Sequence, residues 1–304
     1  MLDDMILNRK PGIITYGLTP PKQDNDHEKL IEISQKQIER INSVDVDALV
    51  IYDIQDEAER TNDDRTFPYM PTVDPGVYAD DYLASVALPK IVYRCVGKYT
   101  HEQLARWLDT QGQKRKYTVF VGAASKNQHV KLSLKEALRD FKERRDVVLG
   151  GVTIPERHMT RKDEHLKVVS KTADGCRFFI SQVTYNAQAA KDFLSDYYYF
   201  CKENGMDMVP ILFTLTPCGS VKTLEFMKWL GISIPRWLEN DLQHSKDILE
   251  KSLQISKDVF LDILEFSKEK NIPTGCNIES VSTRKVEIEA SIQLVKDIRR
   301  ILCD

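Results

Sequence analysis

"PTGCNIESV", residues 273–281, is a short β-rich run that decides the fold by being the eighth of its kind. The other seven are "GIITYGLT" (12–19), "DALVIYDI" (47–54), "KIVYRCVG" (90–97), "YTVFVGAAS" (117–125), "VVLGGVTI" (147–154), "RFFISQVTY" (177–185) and "MVPILFTL" (208–215). Several are nearly continuous apolar stretches, the pattern of strands buried on both faces. Helical patterns fill the gaps. "DHEKLIEISQKQIERINS" sets Leu30, Ile31, Ile38 and Ile41 to one side. "THEQLARWLDTQG" opens on a threonine cap and reaches Gly112, and the segments after Asp163 and Ala187 both end at glycine. Strands alternating with helices predict parallel βαβ units. Eight of them close a (β/α)8 TIM barrel, the α/β fold expected here as one domain over 1–304. An open doubly wound sheet would want a GxGxxG after the first strand, and none is present. The stretch "DEAERTNDDRTFPYMPTVDPGVY" reads as a long loop after strand two, and loops of that length are often functional.

Composition narrows the partners. The chain has 304 residues, 42% hydrophobic and 29% charged, with a formal charge of −3, so no basic field invites nucleic acid. No run reaches the roughly 18 apolar residues of a membrane span, and the acidic start "MLDDMILNRKPG" is unlike a secretion signal. The six cysteines contain no CxxC and the six histidines no HxxxH. Reduced thiols in a cytoplasmic protein, and no metal site, are the expectation. A homo-oligomer is compatible with all of this.

In such a barrel the active site lies at the C-terminal ends of the strands. That rule alone nominates Gly17, Thr19 and Lys22; Tyr52, Asp53 and Gln55; Arg94 and Lys98; Gly122 to Ser125; Glu156, Arg157 and His158; Gln182, Thr184, Tyr185 and Asn186; Thr214 and Thr216; and Asn277, Glu279, Ser280, Ser282 and Arg284. Each has a plainer reading. Glu156 to His158 can cap the next helix. Gln182 is an amide forced among "FFIS" and "VTY", where an unpaired amide costs about 1–3 kcal/mol; it binds a ligand or is satisfied within the core. Asn277 and Glu279 alternate with Ile278 and so share one face of the strand. A carboxylate inside a barrel is expensive, which favours function over an ion pair with Arg94 or Arg284. The small-residue turn at Gly122–Ser125 can offer N–H groups to an anion. Gly17 poses a question of its own, because a strand-interior glycine fills no core and costs roughly 0.5–1 kcal/mol relative to alanine.

Several ordered stretches resemble one family. "IPERH" is similar to a Tyr-Pro-Glu-x-His segment of the methylenetetrahydrofolate reductases, flavin-dependent (β/α)8 barrels that reduce a one-carbon folate. "EHLKVVSKTADGCRFFISQVTYN", "LFTLTPCGSVKTLEFMKWLGISIPRWL" and "DDRT" resemble further elements of that family in the same order. The resemblance implies a reduced folate or related pterin as substrate, with FAD as cofactor or NAD(P)H as direct hydride donor. It implies that Gln182 and Arg284 contact the folate and that His158 and Lys171 lie near the flavin. Tyr185 is expected beside Gln182 and Ser125 beside the cofactor, from their strand ends.

Departures from the family pattern carry as much weight. Gly17 stands where a glutamate acts as general acid, as if that side chain had been given up and space left for another. "VGAAS" replaces an Arg-Gly-Asp, and Ile154 replaces the tyrosine, so FAD binding is expected to be weak or absent. Opening a methylene-folate ring requires an acid, and the hydride must come from a cofactor. Glu279, one strand from Gly17 in a closed barrel, is the first choice for that acid. Glu156 is the second, and Asp53 also carries a carboxylate to the strand ends. The expected activity is therefore that of a divergent methylenetetrahydrofolate reductase-like oxidoreductase. The alternatives are a non-redox one-carbon enzyme and a non-catalytic folate-binding or assembly subunit.

Overall fold

The computed structural model describes residues 2–56, 65–110, 115–124 and 128–303. Along the chain run α1 (Leu2–Leu7), β1 (Ile14–Leu18), α2 (His27–Ile41), β2 (Ala48–Ile51), a short α3 (Pro75–Val77) leading into a π turn (Tyr78–Tyr82), β3 (Lys90–Cys95) and α4 (His101–Asp109). Then come β4 (Lys116–Val121), α5 (Leu134–Phe141), β5 (Val147–Thr153), α6 (Pro155–Arg161), α7 (Glu164–Ala173), β6 (Phe178–Val183) and α8 (Ala187–Glu203). The chain closes with β7 (Ile211–Leu215), α9 (Val221–Trp229), α10 (Arg236–Gln243), α11 (Ile248–Lys270), β8 (Thr274–Ile278) and α12 (Lys285–Cys303). The strands pair in parallel, in sequence order, and β8 returns to β1 through Ile14 opposite Cys276 and Thr15 opposite Asn277. This is the closed (β/α)8 barrel that the eight runs predict.

Local chemistry sets the ends of these elements. Thr100 and Gln103 form a reciprocal capping box on α4, and Ser133 and Glu136 do the same on α5. Gly175 and Gly205, just beyond α7 and α8, take positive φ of 104° and 61°, where a side chain is strained. β7 starts at Ile211, later than the apolar run suggests, because Pro210 has no N–H to give a ladder. No helix among the described residues is long and apolar enough to cross a membrane.

Alternation sorts the core into two layers. Ile13, Ala48, Val50, Ile91, Tyr93, Tyr117, Val119, Val148, Phe178, Ile180 and Leu212 fill the barrel interior, with Leu2 and Ile6 of α1 packed among them. The alternate residues, Ile14, Tyr16, Leu49, Ile51, Cys276 and Ile278 among them, pack outward with residues of α11 and α12 such as Phe260 and Leu294. By the same parity Thr15 and Gly17 on β1, Tyr52 beyond β2, and Asn277 and Glu279 at β8 all project into the interior, the last groups of it toward the C-terminal rim.

Candidate functional site at the C-terminal mouth of the barrel

The floor of the mouth is a polar network that joins β1, the end of β2, β7 and β8. Asn277 is wholly buried. Its Oδ1 accepts from Thr15 Oγ1 at 2.8 Å, and its Nδ2 donates to Tyr52 Oη at 2.7 Å and to Thr214 Oγ1 at 3.2 Å. Tyr52 therefore uses an oxygen lone pair on Asn277 and keeps its own proton for a second partner. That partner is the Glu279 carboxyl, one side chain above Asn277 on the same face. Tyr93 packs edge-on against the Tyr52 ring, with centroids 4.8 Å apart, and fixes its plane. Burial raises the pKa of both phenols well above the ordinary value, and the Glu279 charge adds to it. Tyr52 is thus a permanent donor at neutral pH.

Gly17 is explained by this network. A Cβ built there would lie 2.8 Å from Tyr52 Cε2, 3.0 Å from Tyr52 Oη and 3.1 Å from Glu279 Cβ. The expected empty space is instead filled by a phenol and by the stem of a glutamate from the neighbouring strand. Glu279 is half-buried, and its surroundings push its pKa up to about 7, the Tyr52 hydrogen bond pulling the other way. A carboxyl that changes protonation near neutrality can donate a proton in one step and accept it in another.

Glu156 occupies the far arc. It is the second residue of α6, after β5, and the closed strand order sets β5 opposite β1. Its Oε1 is buried without a hydrogen-bond partner. Burial pushes its pKa up to about 8, and the charge of Glu164 reinforces the shift. Glu164 itself is buried and holds the start of α6, accepting from Ile154 N at 2.8 Å and Thr153 Oγ1 at 3.2 Å. Asp53, the third carboxylate, is spent on structure. It accepts from Cys95 N at 2.8 Å, Tyr99 Oη at 2.9 Å and Lys98 Nζ at 2.5 Å.

The remaining sequence candidates scatter. Gln182 lies within a register shift between Ile180 and Val183 in the β6–β7 pairing, a feature common beside functional sites. Its Nε2 donates to Leu230 O at 3.0 Å, which ties the end of α9 to β6. Arg284 stands at the rim before α12, half exposed, its Nη1 3.3 Å from Gly219 O and 3.8 Å from Glu287 Oε2. Tyr185 faces the outer core, where its hydroxyl donates to Thr216 O at 2.5 Å. His158 is buried in the helical layer, its Nε2 3.0 Å from Asp196 Oδ2 of α8. Lys171 donates to Val152 O at 2.7 Å, and burial lowers its pKa. Ser125 and Gly112 lie outside the described residues. In the same β4 turn, Ala124 N already donates to Gln128 Oε1 at 2.7 Å.

An aromatic wall was missed from the sequence. Phe226 and Trp229 of α9 stack at 6.1 Å, and Phe67 from the long loop meets Phe226 edge-on at 5.0 Å. Arg65 lies 5.0 Å from the Trp229 ring, 5.4 Å from Tyr69 and 5.7 Å from Phe226, while its Nε and Nη1 are buried without hydrogen-bond partners. The signal was available in "RTFPYM" and in the Phe226–Trp229 spacing of three on a helix. Because Leu230 is bonded to Gln182, this wall stands beside β6.

Comparison with known proteins follows the same line. The sequence model of the family described as methylenetetrahydrofolate reductase matches residues 121–298. A solved structure from Clostridium thermocellum, an uncharacterized protein described as binding two copies of 5-methyl-5,6,7,8-tetrahydrofolic acid, is 56% identical. It superposes with a TM-score of 0.89 over 99% of this chain and 100% of that one. A dihydropteroate synthase from Xanthomonas albilineans with 4-aminobenzoic acid is 12% identical, with a TM-score of 0.46 over 97% of this chain and 94% of that one. No curated protein sequence matches.

Proposed function

The chain belongs to the methylenetetrahydrofolate reductase family, and from that premise we propose that its mouth binds a reduced one-carbon folate, with Glu279 as the acid that protonates a folate nitrogen. The observation that carries this reading is the Glu279 side chain, its stem against Gly17 and its carboxyl accepting from Tyr52 with a pKa near 7. The family's first-strand acid is missing, and the stem of a glutamate from the adjacent strand packs beside its position. Further support comes from the relative's bound 5-methyl folate and from the aromatic wall, which suits flat rings.

A nicotinamide donor, when bound, would supply the hydride that the methylene carbon of the folate requires. The bond from that carbon to N10 breaks, and N10 takes the proton of Glu279. The product is the 5-methyl folate. FAD fits the site poorly. Lys171 is engaged by Val152 O, His158 by Asp196, and Ala123 and Ala124 supply no carboxylate at the end of β4. The same observation favours a second reading, in which a methyl folate is bound or its methyl group passed on without redox chemistry.

The test has two stages. Calorimetric titration with 5-methyltetrahydrofolate is expected to give saturable binding to both wild type and Glu279→Gln. Absence of binding to the wild type would overturn the folate reading. Anaerobic turnover of the methylene folate with NADH, NADPH and reduced FAD then separates reduction from the second reading. An absorption spectrum of purified protein with stoichiometric, tightly held FAD would overturn the statement about flavin.

A further inference from the structure

Away from the mouth, α6, α7 and α8 meet at three side chains with metal-ligand chemistry. His158 is 3% exposed and His165 is 9% exposed. One ligand atom from each of them and one from Asp196 all lie within 4.8 Å of one another. The two imidazoles meet edge to face, with centroids 5.3 Å apart and planes at 79°. Phe193 and Phe200 close the apolar side of the group at 6.2 Å from His158 and 5.7 Å from His165. The other side opens toward solvent through Asp196, whose side chain is 53% exposed.

Hydrogen bonding leaves this group incomplete. His158 Nε2 meets Asp196 Oδ2 at 3.0 Å. The Nδ1 atoms of His158 and of His165 are both buried without a hydrogen-bond partner. An orphaned buried polar nitrogen costs about 1–3 kcal/mol, and two in one cluster ask for a reason. A cation would answer for at most one of them, because His158 meets Asp196 through Nε2 and each imidazole offers an ion one nitrogen. First-row divalent ions bind imidazole nitrogen at about 2.0–2.1 Å and carboxylate oxygen at about 2.0–2.2 Å. Those lengths in a tetrahedron put neighbouring ligand atoms a little over 3 Å apart by geometry, close to the His158–Asp196 separation. The His165 nitrogen, within 4.8 Å of the other two ligand atoms, would have to close onto that shell as the ion binds.

We propose that His158, His165 and Asp196 form a binding site for a divalent transition-metal ion of the zinc type, clamping α6 and α7 to α8 with a fourth position open to water on the Asp196 side. Two nitrogens and one oxygen are ligands that suit such an ion far better than magnesium or calcium, which prefer all-oxygen shells. The spacing from His158 to His165 explains why no linear motif announces the site: the two residues lie seven apart, on two helices separated by the left-handed Lys162. The site is separate from the folate mouth and stands or falls without it.

The experiment uses the full chain, stripped of metal by a chelator and titrated with Zn²⁺ in a calorimeter, with Co²⁺ absorption as a second reading. Wild type is expected to bind one equivalent, to show the intense visible bands of four-coordinate Co²⁺, and to melt at higher temperature with Zn²⁺ present. His165→Gln and Asp196→Asn are each expected to weaken binding by at least about the 10–100-fold that loss of a mere supporting contact costs. Asp196→Asn sits on the exposed side and keeps the side-chain volume, so it reports even if His165→Gln folds poorly. No saturable Zn²⁺ binding by the wild type would overturn the proposal. So would binding that Asp196→Asn leaves unchanged, which would place the ion on the cysteines or elsewhere.

Discussion

Two carboxyls stand on opposite arcs of the mouth, Glu279 after β8 and Glu156 after β5, and burial raises both, to about 7 and about 8. Their surroundings differ in kind. Glu279 ends a chain of hydrogen bonds that runs through Tyr52 to Asn277, Thr15 and Thr214. Glu156 has a buried oxygen with no partner and a second carboxylate, Glu164, near enough to oppose its ionisation. A raised pKa alone therefore does not identify an acid catalyst. Glu279 is oriented by a donor that persists in both of its protonation states, whereas Glu156 is merely expensive to charge.

The largest effect that can break this comparison is on turnover. Glu279→Gln keeps the shape and removes the proton, so folate-dependent turnover is expected to fall by about 10²–10⁴, with folate affinity nearly unchanged. Glu156→Gln, assayed beside it, is expected to stay close to wild type. The wild-type rate should decline as pH rises through about 7, because the protonated carboxyl is the active form. A reversed pattern between the two variants would exchange their roles.

Next in size is a pH effect on stability. The Glu156 carboxyl is raised in the folded state from 4.5 to about 8, so between those values the folded protein holds a proton that the unfolded chain releases. Stability from this group is complete below the unfolded value and is lost as pH rises through the folded one. Its contribution to the slope is at most about 1.4 kcal/mol per pH unit. Urea unfolding across this range should show Glu156→Gln gaining on wild type as pH increases. A parallel pair of curves would mean that the carboxyl is better solvated than its buried position implies.

Gly17→Ala addresses the crowded arc. The new methyl group would meet a Tyr52 ring that Asn277 and Tyr93 hold in place, at an approach of 2.8 Å. Overpacking of this kind costs about 1–3 kcal/mol, readable as a lower urea midpoint with an unchanged slope. The smallest effect is expected from Arg284→Gln at the rim. Its side chain is half exposed and its pair with the buried Glu287 is long at 3.8 Å, so folate affinity should stay close to wild type. A larger loss would mean that Arg284 holds the folate tail directly.

The barrel was legible because buried parallel strands announce themselves as apolar runs, and their number fixes the closure. Glu279 and its neighbour Asn277 were legible for the same reason, since a period of two assigns a face. Tyr52 as the occupant of the space beside Gly17 was not. It comes from the next strand, and sequence spacing carries no register between strands. The burial of His158 against Asp196 was not legible, because α6 is a single short helix entered through Pro155 and its rotation depends on packing against α8. The aromatic wall escaped because it joins a loop to a helix more than 150 residues away, through contacts that no local period encodes.

One element at the other end of the molecule bears on how any reaction here must run. α1 packs Leu2 and Ile6 into the base of the interior, and Asp3 accepts a hydrogen bond from Tyr117 Oη at 2.7 Å. The barrel is thus a cup with a stopper at its foot and a single lip. Two reactants that both need the lip must pass it in turn, and the one that arrives second holds the first inside. If the proposed folate and a hydride donor both enter there, steady-state kinetics should show an ordered sequence, with the last product to leave competing against the first substrate to enter.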